Sequence, residues 1–545
     1  MGGGLLQLVA YGAQDAYISG NPHITFWKVL YKRHTNFAME AFRVNFTGKP
    51  SWGQRLVAVV NRNADLMYKT YLEVVLPDTS ANAVPSGAVA WTGDANRRLG
   101  YALLKKIEVE IGGQIIDTHY GEWLFLWENL TSCYDNSVKL DSMVGGNIGG
   151  SITTQNSCGG RPAVLYIPLQ FWFCRNPGLA LPLIALQYHE VRLNFYLANA
   201  TDLVSGSGSY PSYNVAAAAA NLPNIQDMSL YIDYIYLDVE ERRRFAQQSH
   251  EYLIDQLQYG MPQTITSANT RIDLTLNHPV KELVWIFQDV RKTDCSSDLT
   301  KAVGYTQPFS YDDIADRCRI QINGQDRFSE RYGDYFWKVQ PYQHHSGGAF
   351  WPSRQKIASQ LAPSTGTFNP AATPNTTITG FIVNGNVLVV TAVSGAPVSD
   401  NMLITGTNVP AGVTIVANGT AATINGSTYA AGTGGNGTYL ISTQIANIGS
   451  AGSTATFYGV LPDITFPTAF NPINVYSFAL QPEEHQPSGT CNFSRIDTTT
   501  LVFDSITTGG AARPSKSTPF MFRIYAVNYN IFRVMSGMGG LAYSN

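Results

Sequence analysis

The side chains of this 545-residue chain best suited to acid–base, metal or glycosidic chemistry fall in four adjacent pairs: His189-Glu190, His250-Glu251, His344-His345 and Glu483-Glu484. Neighbouring residues on a strand point to opposite faces, so neither His-Glu pair can readily converge on one ligand. Adjacent carboxylates on a turn rarely reach the opposed separation of roughly 5–9.5 Å that glycoside hydrolysis needs. Glu483-Glu484 therefore reads as a solvated turn. His344-His345 ends an aromatic stretch before Ser346-Gly347-Gly348, and the sequence nominates no carboxylate or Cys to complete a metal site there. Phosphate-loop, H-E-x-x-H and G-x-S-x-G signatures are missing. Gly206-Ser-Gly-Ser-Tyr210 lacks the third Gly of a dinucleotide fingerprint, and Gly434-Gly-Asn-Gly437 reads as a turn. The six cysteines (Cys133, Cys158, Cys174, Cys295, Cys318, Cys491) show neither C-x-x-C nor zinc-ligand spacing, so reduced thiols in a cytosolic compartment are expected. No catalytic, cofactor or metal residue is nominated. The remaining candidates are the acceptor-type triplets at Asn418, Asn425 and Asn436, which give possible glycosylation sites in a Thr/Asn-rich stretch.

With chemistry so sparse, the elements themselves carry the information. Ile107-Glu-Val-Glu-Ile-Gly-Gly-Gln114 returns as Cys318-Arg-Ile-Gln-Ile-Asn-Gly-Gln325. Each copy is an alternating strand running into a Gly turn, followed by an aromatic segment, His119-Tyr-Gly-Glu-Trp123 or Arg331-Tyr-Gly-Asp-Tyr335. The copies are about 200 residues apart, too far for a solenoid repeat of roughly 20–50 residues. One β-rich domain has been used twice. In the first half, β-branched runs such as Leu56–Val60 and Tyr71–Leu76 are bounded by Asn, Asp and Pro. His189–Leu197 alternates, with Val191, Leu193, Phe195 and Leu197 on one face. Leu230–Leu237 is apolar on both faces and is expected at the centre of a sandwich. In the second half Leu283–Phe287, Val475–Leu480, Thr500–Phe503 and Phe520–Tyr525 repeat that order. About eight short strands per half predict two consecutive jelly-roll sandwiches, an all-β double jelly roll. The helical candidates are short, such as Gly121–Glu128.

This places an N-terminal arm at 1–26, the first jelly roll at 27–237, a charged linker at 238–250 and the second jelly roll at 251–545. Between Lys356 and Asp463 the one formal charge is Asp400. Within that stretch Phe381–Val390 has a hairpin pattern around Asn384-Gly385. Residues 370–460 are read as a small all-β module inserted in the second roll, similar to Gly/Thr-rich modules of viral and phage surface proteins. A net charge of −3, with charged residues at 14%, gives no long-range pull on nucleic acid or anionic lipid. Arg242-Arg243-Arg244 follows Glu240-Glu241 and is read as solvated. No apolar stretch is long enough to span a bilayer, and the first residues lack a signal-peptide pattern.

Four long motifs resemble the major capsid proteins of nucleocytoplasmic large DNA viruses of algae and protists. They are Gly4–Phe37, Asn176–Val191, Gln486–Asp497 and Met535–Tyr543, which together bracket nearly the whole chain. The region from about 344 to 474 is longer and richer in Thr and Gly than that family pattern. The resemblance implies homotrimers forming pseudo-hexameric capsomers of an icosahedral giant-virus shell, assembled in the host cytoplasm. It implies contacts with neighbouring capsomers and with minor capsid and penton proteins, an inner arm near minor proteins or an internal membrane, and loops raised outward as towers. Neither a cofactor nor direct nucleic-acid binding is expected. Competing readings are a carbohydrate-active β-sandwich, which would need a carboxylate pair or aromatic cleft, and a secreted fibre subunit, which would need a secretion signal.

Overall fold

The computed structural model describes residues 2–77, 89–91, 98–145, 164–206, 224–290, 309–347, 376–460 and 472–543, apart from isolated positions and turns within 25–30, 384–385, 396–453 and 506–518 and at 268 and 310. Eight main strands build the first half: β1 (Phe37–Asn45), β2 (Arg55–Val59), β3 (Leu66–Val75), β4 (Leu104–Ile111), β5 (Gln114–His119), β6 (Val164–Pro168), β7 (Val191–Leu197) and β8 (Asp227–Leu237). They form two antiparallel sheets in the orders β1-β8-β3-β6 and β2-β7-β4-β5. Eight more main strands build the second half: β9 (His250–Tyr259), β10 (Asn269–Asp273), β11 (Pro279–Asp289), β12 (Ala315–Ile322), β13 (Gln325–Asp326), β14 (Asn474–Ser477), β15 (Thr499–Ser505) and β16 (Phe520–Met535). Their orders are β9-β16-β11-β14 and β10-β15-β12-β13. Every position in the first roll recurs eight strands later. A final strand, β17 (Met538–Leu541), folds back on β16.

The repeated motif is the β4–β5 hairpin and its counterpart β12–β13. Ile111 pairs with Gln114 and Ile322 with Gln325, leaving two-residue turns whose central residues all have positive φ: Gly112 61°, Gly113 85°, Asn323 49° and Gly324 78°. That is the mirror-image turn whose twist suits a hairpin, and it explains Gly and Asn at these positions. The second shared glycine meets backbone. A Cβ on Gly121 or on Gly333 would lie 2.0 Å from a carbonyl oxygen, of Tyr101 or Ala315 respectively.

Short connections gather at one end of each roll. There lie the start of β1, residues 60–65, the Gly112-Gly113 turn, residues 169–190 and the end of β8, since Phe37 pairs with Leu237 and Val191 with Ile111. The long connections lie at the other end. Helix α5 (Val239–Gln247) carries the chain from β8 to β9 at the short-loop end, so the second roll stands beside the first with the same polarity. Asp238 caps that helix, and Asp65 ties it down through Arg242 at 3.0 Å and the Leu237 amide at 3.0 Å.

Burial follows strand parity. Val284, Ile286, Tyr525 and Val527 of the second roll belong to the same core as Leu56, Ile107 and Leu193 of the first. Their strand neighbours Leu283, Trp285 and Phe287 fill the second roll's own interior. The β9-β16-β11-β14 sheet is thus covered on both faces, which is why its sequence is apolar in both registers.

Inserted at the long-loop end, six strands (Leu403–Gly406, Ala455–Val460, Thr376–Val383, Val387–Gly395, Gly437–Ile441, Ile415–Asn418) form one sheet in that order, with a core of their own around Ile378, Leu388, Tyr439 and Phe457. Val383 and Val387 close the expected hairpin, while Asn384 and Gly385 lie outside the described residues. Thr376 pairs with Gly459, so the module enters and leaves at one point.

Helix is more extensive than the sequence reading allowed. α3 (Gly121–Thr131) and α4 (Tyr134–Val144) each have 11 residues. The arm carries α1 (Gly3–Val9) and α2 (Asp15–Ser19), neither with a buried residue. Among the described residues no helix is long and apolar enough to cross a membrane.

Candidate functional site: the seam between the rolls

Buried charge concentrates where the two rolls meet. Glu122, in the first turn of α3, accepts from Arg523 Nη2 at 2.7 Å, Tyr525 OH at 2.5 Å and Tyr311 OH at 3.3 Å, all three from the second roll. Burial and the Glu122 charge hold both phenols well above their ordinary range, so they remain donors. Burial pulls the Arg523 pKa down, but Glu122 more than compensates and leaves it raised. Nearby, Asp255 on β9 takes Lys281 Nζ at 2.9 Å and Arg175 of the first roll at 3.7 Å. The Arg175 guanidinium also lies 4.0 Å over the Trp127 ring.

Edge strands β5 and β9 are joined by side chains in place of a ladder. Gln256 Nε2 donates to the Ile116 carbonyl at 2.5 Å, and Asp117 Oδ1 accepts the Leu257 amide at 3.1 Å. A cavity of about 340 Å³ remains between them, lined by these groups with His278, Asn528 and Asn530. Aromatic contacts fill the rest: Phe125 stacks on Phe309 at 4.6 Å, and Tyr120 lies 4.7 Å from Tyr259.

His345 forms the third clamp. Its Nε2 lies 3.1 Å from Glu282 and its Nδ1 3.0 Å from Glu483, with the ring fully enclosed. Burial alone would lower its pKa; the two carboxylates outweigh that and raise it to about 9. Burial pushes Glu483 up, but His345 and Ser346 leave it lowered overall. Ser346 Oγ donates to Thr131 O at 2.9 Å and Gly347 N to Leu130 O at 2.7 Å, so this strap fastens to α3 of the first roll. The chain then enters 348–375 and the inserted module.

The sequence reading missed these partners. Glu483 is no free solvated turn, and His345 has two carboxylates. They grip opposite ring nitrogens, which makes an ion-paired strap, and among the described residues no group of three or more His, Cys, Asp or Glu is placed to hold a metal. The His-Glu pairs diverge as expected: Glu190 binds Arg192, Glu251 binds Arg533, His189 meets Gly539 and His250 meets the Phe245 carbonyl. Cys133, Cys174, Cys318 and Cys491 are free thiols, and burial pushes Cys174 up to about 12. Asn418 ends an insert strand opposite Tyr439, Asn436 is exposed on a bend, and Asn425 lies outside the described residues.

A duplicated eight-stranded roll fused by a charge-locked seam has matches among known proteins. The family model for the major capsid protein N-terminus matches residues 25–238, and the model for the large eukaryotic DNA virus major capsid protein matches 241–357 and 458–540. The chain belongs to the major capsid protein family of large eukaryotic DNA viruses. It is 39% identical to the major capsid protein of Pyramimonas orientalis virus and 33% identical to that of Paramecium bursaria Chlorella virus 1, each over 100% of both chains. A quasi-atomic model of the PBCV-1 virus capsid matches with TM-score 0.59 and 30% identity, covering 96% of this chain and 100% of that one. The Faustovirus major capsid protein shares the fold, at TM-score 0.55 and 11% identity over 96% of this chain and 94% of that one. The family model passes over 358–457, the stretch that holds most of the insert. The chain is therefore a structural component of a virus shell, and its capsid core is the pair of rolls.

Proposed function

We propose that three copies of this major capsid protein close into a pseudo-hexameric capsomer, and that capsomers tile an icosahedral shell. The observation that carries this is the side-by-side placement of two rolls with the same strand order and polarity. Each chain offers two similar wedges, so a threefold ring presents six. Fusing two wedges covalently removes one association step and its translational and rotational cost. In this reading the working parts are the arm at 1–26, the first roll at 27–237, the linker at 238–250 and the second roll at 251–545, with the insert at about 370–460. The protein acts by assembly alone and has no catalytic role.

The two ends differ in a way that supports an inside and an outside. The arm joins at the short-loop end and exposes Leu8, Tyr17, Ile18 and Phe26, side chains that need a covering layer. That layer is an inner one of minor capsid or penton proteins or the internal membrane. The insert stands at the opposite end as an outward, host-facing cap, with Asn418, Asn425 and Asn436 as glycan acceptors. Thr438 of the Asn436 triplet is buried, so a glycan at that site has to be added before the module folds.

Native mass measurement tests the assembly. A stable species near three times 59.6 kDa that forms larger arrays is expected. A persistent monomer with sugar-hydrolysing activity would reverse the reading. Removing residues 2–26 should spare the trimer and impair shell formation, and normal particles from the truncated chain would show that the arm makes no essential inner contact.

A further inference from the structure

Asn528 sits on β16 between Gln256 of β9 and Val280 of β11, and it is 0% exposed. Its Nδ2 donates to the Tyr529 carbonyl at 3.3 Å, but among the described residues its Oδ1 meets no donor. A buried amide oxygen left without a donor costs stability, so its presence needs a reason. Asn528 lines the cavity of about 340 Å³ that opens between β5 and β9.

A second wall shows the same feature. His278, in the turn between β10 and β11, lines the cavity, and its buried Nε2 has no hydrogen-bond partner among the described residues. The residue is held at φ 62°, which is uncommon for anything but Gly. Its amide donates to Ser494 Oγ at 2.8 Å and its carbonyl accepts the Phe493 amide at 3.1 Å, so the strained backbone is locked in place. Backbone strain of this kind clusters at ligand clamps.

The rest of the lining narrows the chemistry. The side-chain N–H groups of Gln256, Gln258 and Asn530 are engaged within the wall, on the Ile116 carbonyl, the Asn277 carbonyl, and Gln256 Oε1 with the Tyr543 carbonyl. The unmet groups are therefore acceptors: Asn528 Oδ1, and His278 Nε2 when the ring proton is on Nδ1. A peptide or other amide would bring a further carbonyl to a wall already in excess of acceptors, whereas a hydroxyl can donate to each. Charge is not called for either. No Lys or Arg lines the cavity, and its one carboxylate, Asp117, is occupied by the Thr118 and Leu257 amides and by His119. Arg175, whose charge reaches Asp117, and Lys281 are both held by Asp255. The volume falls in the range of small-molecule sites, roughly 300–1,000 Å³. Tyr543, 61% exposed at the rim, places an aromatic ring at the mouth.

We infer that this cavity binds an uncharged polyhydroxyl ligand, a single saccharide unit, whose hydroxyls donate to Asn528 Oδ1 and His278 Nε2. Its walls come from β5 of the first roll and from β9, β16 and the β10–β11 turn of the second, so a bound sugar ties the two rolls together at the seam. The site is complete within one chain and does not depend on how copies assemble.

Saturation-transfer NMR on the full chain tests it, with glucose, galactose, mannose and their methyl glycosides as probes and N-acetylglycinamide as the peptide-amide probe. At least one sugar should bind saturably and more tightly than the amide. Binding of the methyl glycoside as well as the free sugar marks a sugar carried on a chain; binding of the free sugar alone marks a free one, and either supports the site. Asn528→Leu removes the free acceptor. His278→Asn withdraws the ring but keeps a residue that tolerates positive φ, so it should fold and carries the test if Asn528→Leu does not. Each variant should weaken sugar binding about fivefold or more, the loss of one hydrogen bond. No saturable binding by any sugar, tighter binding of the amide than of every sugar, or variants that bind as well as the parent would each overturn the inference.

Discussion

His345 shows how much depends on a single buried charge. Its pKa is about 9, above the ordinary value of 6.5, so the folded state binds the proton more tightly than the unfolded chain does. The resulting stabilisation is fully present below the unfolded pKa and is lost as pH rises through about 9. Replacing His345 with Gln leaves Glu282 buried without its cation, which should cost about 3–5 kcal/mol. Denaturation of parent and variant, each followed from about pH 7 to about pH 10, separates this from general alkaline effects. The gap between them should narrow as pH rises; a constant gap would mean that the imidazolium charge is not what holds the strap. None of these partners was legible in the sequence, because Glu282, His345 and Glu483 are distant in the chain and meet only through the fold. One signal was available. Lys281, Glu282 and Arg523 interrupt strands that are otherwise apolar on both faces, and a charge in such a strand has no solvent side to occupy.

At the scale of elements the repeat was legible because two-residue hairpin turns constrain residue type. Positive φ at Gly112 and Gly324 demands Gly, and the flanking alternation follows strand period. A Cβ on Gly324 meets nothing, so Gly324→Ala should cost only backbone strain, about 1–2 kcal/mol. A Cβ on Gly112 would lie 2.4 Å from the His189 ring, which itself holds Gly539. Gly112→Ala should therefore destabilise more than Gly324→Ala in chemical denaturation, and equal losses would show that the ring yields freely. Helices were less legible than strands. α3 is buried nearly all round, so it has no polar stripe to set its period, and its length beyond Glu128 could not be read. The insert's hairpin was legible for the opposite reason, since its strands alternate around an Asn-Gly pair in a segment almost without charge.

The whole molecule divides differently from its sequence. The chain reads as two rolls plus an insert, yet the first core cluster runs through both rolls, while the insert keeps a core of its own. Cooperative units follow shared cores more closely than they follow chain order. The two rolls should therefore unfold together and the insert separately. Tryptophan placement makes this measurable, because none of the chain's 9 tryptophans lies within residues 376–460. Calorimetry should show two transitions, of which tryptophan emission reports one. Deleting 376–460, whose ends meet at Thr376 and Gly459, should remove the silent transition and leave the other at its original temperature. Glu122→Ala, which strands Arg523 in the seam, should lower the emission transition as a single step. Two steps in the emission of the intact chain would mean that the rolls are independent bodies.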